Sequence, residues 1–111
     1  MQDRIIVILA TGEAAKARTG AMYALNALKH GWMEDVKLVL FGPAENLYLQ
    51  DEDLQDLVRQ FSALADQPLA CRFLSDRDGI SDQLGALGLN VRYVGAPISD
   101  AIRSGYVPMV W

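Results

Sequence analysis

The chain has one cysteine and one histidine in 111 residues, and each scarcity excludes a class of protein. One thiol cannot build a disulfide framework, and one thiol beside one imidazole falls short of a structural zinc site. No apolar run approaches the length of a membrane span: the longest at the amino-terminal end covers only residues 5–10. The same end lacks the long apolar core of a secretory signal. Basic residues are also in the minority, with 10 Lys and Arg against 14 Asp and Glu. A net charge of −4 argues against nucleic acid and anionic membrane as partners, because phosphate contact needs clustered cations. With one free thiol and no export signal, the expected compartment is the reducing cytoplasm.

What is present points to one folded domain. Hydrophobic residues make up 51% and charged residues 22%, as in ordinary soluble domains. Nine Gly and four Pro follow no period, so collagen-like and low-complexity chains are excluded. The length suits a single unit over residues 1–111, with no linker and no internal repeat.

Residues 4–10 form a continuous run rich in β-branched side chains, which suits a strand covered on both faces in a parallel sheet. A similar run occupies 36–41, and weaker strand signals lie at 69–73, 91–94 and 107–110. Helical character fills the intervals. Residues 16–30 put Met22, Leu25 and Leu28 on one stripe, and Leu54, Leu57, Val58, Phe61 and Leu64 follow helical spacing. Ser81 is placed to cap a short helix over 82–87 that stops at Gly88. Pro97 suits the first turn of a last helix, with Gly105 as its stop. Five strands alternating with four helices predict an α/β fold: a mainly parallel sheet with right-handed crossovers and helices packed on its faces. Residues 45–60 carry five acids, Glu45 among them, against Arg59, and read as a solvated helix face.

In such sheets ligands bind beyond the carboxyl ends of the strands. The strand exits offer Thr11-Gly12, Gly42-Pro43, Cys71 with Arg72 and Ser75 after it, and Gly95-Ala96. Small residues there allow close backbone approach, and they equally suit plain turns. Cys71 is the candidate with chemistry of its own. A thiolate at a strand end beside arginine can act as a nucleophile or carry sulfane sulfur as a persulfide. A lone cysteine on a strand can also be a small buried hydrophobe. Thr11, Gly12, Gly42, Arg72, Ser75, Gly95 and Ala96 are the candidate substrate or anion contacts.

Other signals fail on spacing. Lys16 after Thr11-Gly12 lacks the phosphate-loop pattern, and the Rossmann glycine fingerprint is absent. No nucleophile elbow accompanies His30, which reads as a helix-end or surface residue. Asp76, Asp78 and Asp82 surround a turn at Gly79 and do not call for a metal. No cofactor is implied.

Several stretches together resemble the DsrE/DsrF-like family. They are Ile5-Ile6-Val7-Ile8-Leu9-Ala10-Thr11-Gly12, Met22-Tyr23-Ala24-Leu25 and Val39-Leu40-Phe41-Gly42-Pro43. The run from Cys71 to Ser81 and the ending Gly105-Tyr106-Val107-Pro108-Met109-Val110-Trp111 complete the likeness, which spans nearly the whole chain. The resemblance implies a three-layer α/β/α domain with a five-stranded parallel sheet, assembled as a homotrimer, a hexamer or a hetero-oligomer. Members that act in sulfur relay bear sulfur on a cysteine after the third strand, and Cys71 matches that position. Some relatives carry a second cysteine three residues on, where this chain has Leu74, so an internal dithiol step is not expected.

Two functions follow as expectations. One is a cytoplasmic sulfur carrier, or sulfurtransferase-like protein, that relays sulfane sulfur on Cys71 to a thiol partner protein. The other is a non-catalytic oligomeric binding or scaffold protein with a small-molecule or anion pocket at the strand carboxyl ends. In that case Cys71 is merely packed, and Trp32, Tyr106 and Trp111 supply interface surface.

Overall fold

The first strand, β1 (Arg4–Leu9), is apolar throughout after Arg4, and its burial on both faces places it inside the sheet. In the computed structural model, which describes residues 3–111, it pairs with β2 (Asp35–Leu40) on one side and β5 (Val107–Val110) on the other. β2 continues to β3 (Leu69–Cys71) and then to β4 (Asn90–Arg92), giving the order β4-β3-β2-β1-β5. Every pairing is parallel.

Parallel neighbours need crossovers, and here these are helical. They are α1 (Ala14–Lys29), α2 (Pro43–Gln50), α3 (Glu52–Leu64), α4 (Arg72–Arg77), α5 (Ser81–Ala86) and α6 (Gly95–Arg103). The chain moves in one direction from β1 to β4, then returns across the whole sheet to β5. Right-handed crossovers therefore set α6 on the opposite face from the earlier helices. The packing follows this division. Ile5, Val7, Leu9, Leu38 and Ala70 join Ala21, Tyr48, Leu54, Phe61 and Leu84 in the larger core. Ile6, Ile8, Val39 and Cys71 meet Val94 and Ala101 in a smaller one under α6. No described helix is long and apolar enough to cross a membrane.

All five expected strands form, and the sheet is parallel throughout. Two of the six helices were not expected. α2 lies in a stretch read as a strand exit and acidic face; Pro43 supplies its first-turn φ, and Gly42 precedes it at φ 72°. α4 takes over what was read as the end of the third strand, which stops at Cys71 and leaves Phe73 67% exposed on the helix.

Helix faces also differ in detail. The buried face of α1 consists mainly of small residues, Ala17, Gly20, Ala21, Ala24 and Ala27, so Met22 is left exposed. Leu64, at the end of the α3 stripe, is exposed too. Ser81 is no N-cap: its hydroxyl donates to Asp76, and Ile80 holds the cap position. Gly88 and Gly105, at φ 94° and 101°, are the left-handed stops that their positions predict. Asp51 caps α3 by accepting from the Leu54 N–H at 2.9 Å, and it pairs with Arg18 of α1. That guanidinium holds the Asp51 carboxyl below the usual range, so this acid, read as part of a solvated face, is a buried tie between two helices.

Gly20 lets the carboxyl-terminal residue pack. A Cβ there would lie 2.6 Å from the Trp111 ring and 2.7 Å from a Leu9 methyl. Gly85, also helical, faces open space. Gly20→Ala is expected to destabilise by about 1–3 kcal/mol through overpacking, and Gly85→Ala to stabilise by about 0.5–1 kcal/mol through helix propensity. Urea denaturation of both variants checks the contrast. Equal effects would contradict the packing described.

Candidate functional site

The carboxyl edge of the sheet brings some of the candidate residues together and separates others. Cys71 is the last residue of β3 and the cap residue of α4, in register with Arg92 of β4. Strand alternation turns its side chain toward α6, where it packs with Val39, Val94 and Leu74. It keeps 5% of its surface exposed. Its immediate surroundings are apolar.

Arg72 does not face the thiol. Its guanidinium donates to the Val91 carbonyl at 2.9 Å and approaches Asp76 at 3.9 Å, bordering a shallow recess with Ser81 and Asp82. Ser75 is fully buried, with its hydroxyl 2.6 Å from that of Ser81 and bonded to the Arg72 carbonyl, so it ties α4 to α5. Thr11 and Gly12 are likewise committed to structure. The Thr11 N–H donates to the Trp111 carbonyl at 3.2 Å, its hydroxyl accepts from Glu13, and a Cβ on Gly12 would stand 3.2 Å from Pro43. Gly95 and Ala96 open α6 and are exposed, directly after Val94, which packs with Cys71. Gly42 lies near Leu74, 3.8 Å from where its Cβ would be. The gathered set is therefore Cys71, Gly42, Leu74 and the start of α6.

His30 cannot assist. It caps the far end of α1, which runs antiparallel to the strands, and so lies at the amino edge of the sheet, stacked on exposed Trp32. The aspartates Asp76 and Asp78 are engaged with Ser81 and Asn46, and the described residues include no cluster of three potential metal ligands.

The residue that sequence reasoning missed is Glu45. Counted in a solvated acidic face, it is in fact 1% exposed, at the point where β2 and β3 part. Its Oε1 accepts the Gly42 N–H at 3.1 Å, the reach-back half of a capping box. The backbone N–H of Cys71 also faces the carboxyl group, and Oε2 is buried with no hydrogen-bond partner. Burial is the main cause that pushes Glu45 up from 4.5 to about 7, helped by Asp78 and opposed by the Gly42 N–H. The signal was legible as Gly42-Pro43-Ala44-Glu45, a cap residue followed three positions on by an acid, once α2 is recognised.

A second concavity lies elsewhere. A cavity of about 430 Å³ opens between α6 and the strands β2, β3 and β4. Ile6, Val39 and Leu69 line its floor, and Lys37, Arg92 and Asp100 stand at its rim. Its lining includes none of the strand-exit residues Gly12, Gly42, Cys71 or Gly95, because the single helix on this face leaves part of the sheet uncovered.

No family profile and no curated protein matches the chain. Among solved structures, it is similar to the conserved protein of unknown function BT1422 from Bacteroides thetaiotaomicron, with a TM-score of 0.83 and 25% identity. That match covers 98% of this chain and 95% of the other. It is also similar to the ychN protein from E. coli, with a TM-score of 0.76 and 16% identity, over 97% and 99% of the two chains. The second likeness concerns the fold alone.

Stability should report the buried acid. Between about pH 4.5 and 7 the folded chain holds a proton on Glu45 that the unfolded chain has released. Stability therefore falls as pH rises through that window, by about 3 kcal/mol at most, and then levels. Asp51 and Asp78, both held low, act at more acidic pH. Urea midpoints between pH 5 and 8 are expected to fall in the wild type and to flatten in Glu45→Gln. An unchanged slope in the variant would contradict the assignment.

Proposed function

We propose that the chain is a cytoplasmic sulfur carrier of the DsrE/DsrF-like type, holding sulfane sulfur as a persulfide on Cys71. The observation that carries this reading is the position of the sole cysteine. It ends β3 at the carboxyl edge of a sheet whose fold matches that of the ychN protein. The family resemblance assigns the sulfur-bearing residue to the same place.

The chemistry balances without an oxidant. The Cys71 thiolate attacks the outer sulfur of a donor persulfide, the donor S–S bond breaks, and the donor leaves as a thiolate. Cys71 is then a persulfide, and an acceptor thiolate removes the outer sulfur by the same displacement. With no second cysteine in the chain, the acceptor belongs to another molecule.

Apolar packing around Cys71 supports the storage half of this role, since it keeps water and soluble reductants from a bound persulfide. It also requires the donor to arrive by close docking. Phe73, two residues beyond Cys71, and Tyr93, one beyond its register partner Arg92, are 67% and 64% exposed. These aromatics suit a thiol-bearing protein partner or self-association as a homotrimer or hexamer.

The cavity under α6 favours a second reading, a binding module in which Cys71 is packing only. Intact-mass spectrometry after exposure to a sulfane donor separates the two. The wild type is expected to gain one reducible sulfur and Cys71→Ser none. A wild type that gains none overturns the carrier reading.

A further inference from the structure

Polar side chains around the cavity under α6 divide into those already engaged and those left over. Lys37 lies 5.0 Å from the centre of the Tyr106 ring and 4.0 Å from Asp66, and Asp100 pairs with Arg103. Gln67 donates to the Gly88 carbonyl at 2.7 Å, and the Ser104 hydroxyl donates to the Ala101 carbonyl at 3.1 Å. That leaves Asn90 and Arg92, whose side chains have no ion pair or hydrogen bond among the described residues. Both belong to β4, two residues apart. Their register partners, Leu69 and Cys71, pack in the cluster under α6, so strand alternation turns Asn90 and Arg92 to the same face. Lys37 offsets Asp66 and Arg103 offsets Asp100, which leaves the positive charge of Arg92 uncompensated at the rim.

We propose that this cavity binds an amphipathic carboxylate, with its apolar body between the sheet and α6 and its carboxylate on Arg92 and Asn90. The inference deepens the second reading above, from which it takes the cavity, and makes no demand on Cys71. A volume of about 430 Å³ lies within the range of small-molecule sites, roughly 300–1,000 Å³. Ile6, Val39 and Leu69 on the sheet, with Pro97 and Ala101 of α6, supply the apolar walls. A guanidinium fork matches a carboxylate through two parallel hydrogen bonds, and the Asn90 amide has N–H groups to add. A phosphate ester would call for a second free cation close by. Lys37 is not that cation. It comes two residues before the row Val39, Leu69 and Asn90, and Arg92 comes two residues after it on the next strand but one. Strand dimensions then set the Lys37 and Arg92 Cα atoms roughly 16 Å apart.

The test is a nitrogen-15 NMR titration of the full chain with octanoate, and with octanol as its uncharged counterpart. Octanoate is expected to shift the amides of Ile6, Leu69, Asn90 and Ala101 and to bind about ten-fold more tightly than octanol. In Arg92→Gln that ratio is expected to fall to about one, and in Arg92→Lys, which keeps the charge without the fork, to lie between. The wild-type ratio stands as a test even where a variant fails to fold. A wild-type ratio near one, a ratio that Arg92→Gln leaves unmoved, or shifts confined to exposed Phe73 and Tyr93 overturns the proposal. Cavity amides that shift with protein concentration alone assign the space to a second copy of the chain, and overturn it too. Octanol binding without preference for octanoate defeats the carboxylate site and leaves the binding-module reading standing, whereas no binding of either probe defeats both. Persulfide on Cys71 is scored by mass without any ligand, so the carrier reading fails separately.

Discussion

Right-handed crossovers between parallel strands govern most of what this protein offers to a ligand or partner. Three successive moves from β1 to β4 put their helices on one face, and the single return to β5 puts α6 on the other. One core is therefore thick and the other is one helix deep. Cys71 points into the thin one. The cavity, the exposed aromatics around β3 and β4, and the uncovered Val110 of β5 are consequences of covering a five-stranded sheet with one short helix.

The carboxyl edge is built mainly from backbone groups already committed to one another. Thr11 and Ala10 donate to the Trp111 carbonyl, so the end of the chain closes the cleft between β1 and β5 that a doubly wound sheet would leave to a ligand. Gly42 donates to Glu45, and Ser75 is held by Ser81. What remains open is the exposed start of α6 at Gly95 and Ala96, next to Val94, which shares an apolar cluster with the thiol. Small residues at strand exits thus did two jobs here. At Gly12 and Gly42 they let the exits of β1 and β2 approach α2 and α4, and at Gly95 they begin an exposed helix end.

Electrostatics at this edge differ from the picture of an arginine-activated thiolate. Arg72 is spent on Val91 and Asp76, and the ionisable group set into the site is a carboxyl. A sulfur enclosed by apolar side chains is protected from solvent.

The central strand β1 was legible because a parallel strand buried on both faces reads as an unbroken apolar run, as in Ile5 to Leu9. The left-handed stops at Gly88 and Gly105 were legible because glycine adopts positive φ without strain. The α2 and α4 helices were not, since both are short and their formation depends on what they dock against. From the residues alone came the layer architecture and the one cysteine at a strand end. Which neighbours that cysteine has was decided only by folding. Crossover direction and strand alternation bring Val39 and Val94 into its cluster from distant points of the chain, and no local pattern records contacts of that range.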